Sequence, residues 1–130
     1  MIRKKRGKQS INSTKNIYKG IKFKSLLERF AYISFESANL NPKYEPEKWE
    51  IMKPFVYKGE KVRNMTYKVD FIFTFKKIKY CIETKGRPND NWSLRLKWIR
   101  LFLMNHLEWE YVILKTQKEI TAFINKLNKL

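Results

Sequence analysis

The sequence predicts an α/β chain built on a mixed sheet. An antiparallel β-meander is followed by a crossover helix and one further strand, and helices flank the sheet. Three observations carry this prediction. Tyr67, Val69, Phe71, Phe73 and Phe75 alternate with Lys68, Asp70, Ile72 and Thr74, the period of two expected of a strand. Ile78, Tyr80, Ile82 and Thr84 resume that period directly after Lys76-Lys77, which makes those two lysines the turn of a hairpin. Tyr111-Val112-Ile113-Leu114 is a short continuous apolar run between two helical patterns, the signature of a buried strand of the kind found in parallel pairings.

The remaining elements follow in chain order. Residues 1–17 form a basic arm led by Arg3, Lys4, Lys5 and Arg6, and residues 18–130 form a single domain. Two readings of the arm stand: a solvated tail, or a segment that orders on a phosphate backbone. A helix is expected over Leu26 to Asn39. Ser25 and Glu28 have capping-box spacing, and Leu27, Phe30, Ala31, Ser34 and Ala38 share one face. Asn41 to Pro46 breaks it, because proline lacks the amide proton a helix interior needs. Trp49 to Tyr57 reads as a strand whose Pro54 implies an edge or bulge, with a turn at Lys58-Gly59-Glu60. Gly86 to Asp90 closes the later hairpin. A second helix is expected over Trp92 to Leu107, with Leu94, Trp98, Leu101 and Phe102 on an apolar face and Arg95, Lys97 and Arg100 on a basic one. Thr116 and Glu119 repeat the capping spacing ahead of a terminal helix striped by Ile120, Phe123, Ile124 and Leu127.

Composition narrows the function. The 130 residues are 43% hydrophobic and 15% aromatic, too apolar for a disordered polycation. Against 12 acids stand 29 lysines and arginines, a formal charge of +17, and this points to a polyanion such as nucleic acid. Nine of those cations precede the first acid, Glu28, which leaves 20 cations and 12 acids, +8, for the rest. No apolar run approaches membrane-spanning length, and Met1 to Lys8 lacks the apolar region of a signal peptide, so neither a membrane partner nor export is expected. Cys81 is the lone cysteine, which excludes an internal disulfide or thiolate zinc site and suits a reducing, cytoplasmic location. His106 and Cys81 have no nucleophile–base partner in the pattern and read as structural.

The informative residues are two acids. Asp70 interrupts Tyr-Lys-Val-Asp-Phe-Ile-Phe, and Glu83 interrupts Tyr-Cys-Ile-Glu-Thr-Lys-Gly. Most of the other acids lie in loops, polar stretches or element ends, where an acid needs no special explanation. A carboxylate among residues built for burial needs a cation or hydrogen-bond donors, since burying an unpaired charge costs several kcal/mol. Folding the hairpin about Lys76-Lys77 pairs residues whose numbers sum to about 153, which places Asp70 opposite Glu83 to within one register step. Glu83 and Lys85 share a strand face, with Thr84 turned away. Two readings remain at this point. Either the acids hold a hard divalent ion such as Mg²⁺, or Asp70 pairs with Lys85 and Glu83 with Lys68.

Asp70 followed by Glu83-Thr84-Lys85 resembles the PD-(D/E)XK nuclease superfamily, whose shared element is an acid on one strand and Glu-X-Lys on the next. Ser25-Leu26-Leu27-Glu28 resembles the helix-borne glutamate many members add, and the element order is similar from about Tyr18 to Lys115. Val69 departs from the proline many relatives carry before the Asp. Within the superfamily the motifs look most like small phage nucleases and Holliday-junction resolvases of the endonuclease I type, with a transposon-end, restriction-like endonuclease pattern as a relative. The resemblance implies a restriction-endonuclease-like core and a Mg²⁺-dependent site in which Mn²⁺ may substitute. Asp70, Glu83 and the Thr84 carbonyl would be metal ligands, Lys85 would orient or help activate the attacking water, and Glu28 would be either a further catalytic acid or only the partner of Ser25. It also implies a phage-encoded protein acting in the cytoplasm of a bacterial host.

The expectation is a metal-dependent DNA endonuclease acting on branched DNA, with a homodimer to coordinate two cuts and with Lys68, Arg87, Arg95, Lys97 and Arg100 holding the backbone. The alternatives are a non-catalytic basic nucleic-acid-binding protein, which would stack bases on exposed members of Trp49, Trp92, Trp98 and Trp109, and a transposon-end or restriction-type endonuclease subunit.

Overall fold

Residues 16–130 are described by the computed structural model; Arg3, Lys4, Lys5 and Arg6 lie outside the described residues. In chain order the elements are β1 (Ile17–Tyr18), β2 (Ile21–Lys22), α1 (Leu26–Ser37), β3 (Lys43–Tyr44), β4 (Lys48–Met52), β5 (Phe55–Tyr57) and β6 (Glu60–Val62). They continue with β7 (Met65–Lys68), β8 (Phe71–Phe75), β9 (Ile78–Thr84), α2 (Trp92–Leu103), β10 (Glu110–Leu114) and α3 (Gln117–Asn128). Asn16 and Ile17, the end of the expected arm, belong to the fold: Asn16 is buried, its carbonyl accepts the Phe23 amide at 3.0 Å, and Ile17 pairs with Lys22.

The architecture is mixed α+β. A four-stranded sheet runs in the order β10-β9-β8-β3, with β8 and β9 antiparallel and β9 and β10 parallel. The β8–β9 hairpin turns at Lys76-Lys77 as expected, and its pairs run from Phe75 with Ile78 to Phe71 with Ile82. Both turn residues have positive φ, 51° and 71°, the two left-handed residues that a tight hairpin needs to match the twist of its strands. The parallel pairing of β9 with β10 follows from the α2 crossover, since parallel neighbours cannot be joined by a tight turn.

The two faces of this sheet bury different clusters. On one, α1 and α3 pack Ala31, Phe35, Ile120 and Leu127 onto Phe71, Phe73, Tyr80 and Ile82. On the other, the β4–β7 ladder and α2 pack Trp49, Ile51, Tyr67 and Ile99 onto Ile72 and Cys81. Covered on both faces, β9 is buried from Tyr80 to Thr84, so Glu83 sits in a strand with no solvated side.

Several boundaries differ from the expectation. The single strand over Trp49 to Tyr57 is two, β4 and β5, interrupted at Lys53-Pro54, and the β4–β7 ladder shifts register between Glu50 and Met52. Proline donates no ladder bond, so the break falls where the amide is missing. The alternating run from Tyr67 to Phe75 also breaks, at Val69-Asp70. Before the break β7 pairs with β4, and after it β8 pairs with β9 and β3, so the chain changes sheets at Asp70. The first two helices stop earlier than expected, α1 at Ser37 and α2 at Leu103. Asn39 then takes a left-handed φ of 62°, which ends the first helix.

Candidate active site

The change of sheets at Asp70 and the end of β9 at Thr84 create a cavity of about 460 Å³. Glu28, Asp70, Glu83, Thr84 and Lys85 all line it, so residues far apart in the chain meet in one place.

Glu28 arrives on the first turn of α1. Ser25 caps that helix, its Oγ accepting the Glu28 amide at 3.1 Å. The Glu28 carboxylate does not return to the Ser25 amide. Its Oε1 accepts the Lys24 amide at 3.1 Å and the Tyr44 hydroxyl at 2.7 Å. Capping and a place in the site are therefore compatible in this chain, because the bond back to the chain lands one residue earlier than the box pattern requires. The same displacement recurs at α3, where Glu119 Oε1 accepts the Lys115 amide at 2.8 Å.

Asp70 lies one step beyond the last β8–β9 pair, where continuation of the ladder would set it opposite Glu83. Its Oδ2 accepts the Thr84 amide at 2.8 Å and the Thr84 hydroxyl at 2.9 Å. Thr84 is thus not turned away from the acids. The bend at Asp70 carries its carboxylate across the strand end, within reach of a side chain that strict alternation would put on the opposite face. Glu83 is held from the other side of the sheet: Tyr67 donates its hydroxyl to Glu83 Oε1, and the Tyr67 and Tyr111 hydroxyls are 2.9 Å apart.

Asp70 and Glu83 are each only 6% exposed. Among the described residues neither they nor Glu28 form an ion pair, which removes the reading in which Lys85 neutralises Asp70 and Lys68 neutralises Glu83. The consequence is electrostatic. Burial, reinforced by the charge of Glu28 and opposed by the Thr84 bonds, pushes the Asp70 carboxyl up to about 7. Burial and the charge of Asp70 push Glu83 up to about 8 against the Tyr67 bond and Lys85. Buried hydroxyls cannot easily ionise beside these acids, so Tyr67 and Tyr111 are both raised above the ordinary tyrosine range and stay proton donors.

Cations ring the cavity without closing on the acids. Lys85 is half-buried, its amide fixed to the Leu114 carbonyl at 3.0 Å and its Nζ 4.8 Å from the Trp92 ring centroid. Lys68 and Arg95 line the cavity, with Arg95 Nη2 donating to the Thr66 carbonyl at 2.5 Å. Arg87, Lys97 and Arg100 are exposed outside the lining. Lys24, Tyr67, Asn89, Asn91 and Trp92 line it as well and were missed by pattern reading. For Tyr67 the signal was present, since it lies three residues before Asp70 on the alternating run. Nothing local marks Lys24, which reaches the site through its ion pair with Glu45 at 2.8 Å.

The other candidates fall to structural roles. Cys81 is buried, its thiol pushed up to about 12 by that burial. His106 stacks on Trp109 at 3.9 Å. Trp49 is buried and Trp92, Trp98 and Trp109 are half-buried, so the exposed tryptophan platform of the binding-protein alternative does not form.

The donor set fits a hard divalent ion: oxygen ligands, net negative charge and no cation already in place. Among the described residues no three His, Cys, Asp or Glu side chains stand as a ready-made cluster. The fit is to an ion held by the Asp70 and Glu83 pair and completed by water or phosphate oxygens, as Mg²⁺ commonly is. Among the described residues no helix is long and apolar enough to cross a membrane. Compared with protein-family models, curated proteins and solved structures, the chain finds no match.

Proposed function

We propose that this protein is a divalent-metal-dependent DNA endonuclease with a PD-(D/E)XK-type site. The observation that carries the proposal is the meeting of Asp70, Glu83 and Lys85 in one cavity, with two buried carboxylates that have no cation partner among the described residues. Asp70 and Glu83 would hold Mg²⁺ or Mn²⁺, with the Thr84 carbonyl as a further ligand. Such an ion supplies positive charge to the phosphate oxygens and acidity to water. Thr84 fixes the rotamer of Asp70, and Tyr67 fixes that of Glu83. Lys85 brings an ammonium group into the cavity without being consumed by an ion pair, where it can steady charge developing on a scissile phosphate and orient the attacking water. Glu28 adds a third carboxylate from the opposite face of the sheet. Lys24, Lys68 and Arg95 at the rim supply the attraction for a phosphate backbone.

A preference for branched DNA, and with it a homodimer that places two cuts, rests on the similarity of Ser25 to Glu28, Val69 to Phe73 and Ile82 to Gly86 to small phage resolvases. A restriction-endonuclease-like core, a phage origin and a cytoplasmic site of action belong to the same proposal. The test is cleavage of supercoiled plasmid and of a synthetic four-way junction with Mg²⁺, with Mn²⁺ and with chelator. Metal-dependent cutting that Asp70→Asn and Lys85→Ala abolish while binding persists is the expected result. Absence of cutting under every metal condition would overturn the proposal.

A further inference from the structure

Beyond the site, β5 and β6 form a two-stranded ribbon that pairs with no other strand among the described residues. Phe55 pairs with Val62, Val56 with Lys61 and Tyr57 with Glu60, and directly opposed residues share a face. One face therefore carries Phe55, Tyr57, Glu60 and Val62, and the other Val56 and Lys61. Phe55, Val56 and Tyr57 are 51%, 65% and 60% exposed, so three consecutive large apolar residues stand in solvent. Between residues 53 and 63 the chain carries Lys53, Lys58, Lys61 and Arg63 against Glu60 alone. Lys58, Lys61 and Arg63 have no ion pair among the described residues.

We propose that this ribbon is a second nucleic-acid contact, lying in a groove of duplex nucleic acid beside the site. It rests on the nucleic-acid part of the proposed function and not on its hydrolytic part. Charge selects the partner. A second copy of this chain would bring two ribbons of like charge together, whereas a polyanion neutralises both edges. Size agrees, because two strands about 4.8 Å apart fit a major groove about 12 Å wide. The exposed apolar side chains then meet sugars and base edges and the lysines meet the groove walls.

The ribbon is also anchored. At its base Glu50 accepts from Lys53 Nζ at 3.4 Å and from Asn64 Nδ2 at 2.7 Å, one partner from each side of the hairpin. Its second strand runs on through β7 to Tyr67 and Lys68, which line the cavity. The eight steps along the chain from Gly59 to Tyr67 span at most about 27 Å, roughly eight base pairs along a duplex. One bound duplex can touch both features.

The test uses the full chain and a fluorescein-labelled DNA duplex of about 24 base pairs, in chelator, by anisotropy at several salt concentrations. Lys58→Ala/Lys61→Ala should weaken binding about tenfold near 0.1 M salt and flatten the salt slope by about 2, with an unchanged melting curve. Phe55→Ala/Tyr57→Ala should weaken binding without changing the slope. Affinity and slope equal to wild type in the lysine variant would overturn the proposal. So would a Phe55/Tyr57 variant that binds DNA normally but sediments at a lower oligomeric state, because the occupant would then be a second copy. Ribbon-dependent binding without cutting in Mg²⁺ removes the nuclease proposal alone, and cutting with ribbon-independent binding removes this one alone.

Discussion

Asp70→Asn should make this protein more stable, and more so at pH 8 than at pH 5. In the folded chain Asp70 is 6% exposed and its carboxyl is raised from an ordinary 3.8 to about 7. The folded state therefore holds a proton that the unfolded chain releases, and stability falls as pH rises from near 4 through about 7. Each pKa unit corresponds to about 1.4 kcal/mol. The shift thus costs about 2 kcal/mol at pH 5, where the folded acid is still protonated, and about 4 kcal/mol at pH 8, where it is ionised. Asparagine keeps the shape and an oxygen for the Thr84 amide and hydroxyl, and it carries no charge. The gain on substitution should grow by about 2 kcal/mol between the two pH values, or roughly 8 °C in melting temperature for a domain of this size. Thermal unfolding of wild type and variant across that range, in chelator, measures it. Adding Mg²⁺ at pH 8 should raise the wild-type melting temperature and leave the variant nearly unmoved, since a ligand stabilises only the state that binds it. A variant less stable than wild type at pH 8, or a gain equal at both pH values, would refute the electrostatic account of the site.

Other consequences are testable with single substitutions. Tyr67→Phe removes the hydroxyl that donates to Glu83; it should weaken Mn²⁺ binding about 10-fold or more by calorimetry, and affinity equal to wild type would show that the bond does not position Glu83. Lys85→Ala should abolish plasmid cutting with little loss of duplex affinity, because in the proposed site this half-buried lysine would act at the scissile phosphate and not along the backbone track; parallel loss of both would mark it as a binding residue. Lys77 holds a φ of 71°, a conformation that costs a side-chain-bearing residue about 1 kcal/mol. Lys77→Gly relieves it while adding about 0.4–1 kcal/mol of unfolded-chain freedom, so stability in urea should stay within about 0.5 kcal/mol of wild type, and a loss above about 1 kcal/mol would refute this account of the turn. Glu28→Gln retains an acceptor for the Lys24 amide and the Tyr44 hydroxyl, so it should melt near wild type at pH 8 while Mn²⁺ affinity falls; Mn²⁺ affinity equal to wild type would assign Glu28 to capping alone.

Local pattern was sufficient wherever one period or one dipeptide decides the outcome. The β8–β9 hairpin, its turn at Lys76-Lys77 and the register that carries Asp70 toward Glu83 follow from alternation alone, because strand side chains repeat every two residues and a two-residue turn fixes the pairing. The caps at Ser25 and Thr116 were legible for a similar reason, since a side-chain oxygen satisfies an amide three residues away without help from the rest of the chain. So was the oddity of two acids within apolar strands.

Tertiary structure decided what distant segments do to one another. The alternating run that reads as one strand from Tyr67 to Phe75 is divided at Asp70, because β4 claims its first half and β9 its second. Only that division places the Asp70 carboxylate on Thr84. The sequence offered 29 cations to any acid, and nothing local could say that none among the described residues pairs with Asp70 or Glu83. That depends on where Tyr67 and Thr84 arrive, since these two occupy the acids with neutral donors, while Tyr111 meets the Tyr67 hydroxyl. Periodicity thus determined the strands and the acids they carry. Packing determined that those acids stay uncompensated, which is the property that makes the cavity a candidate for a divalent ion and a phosphate.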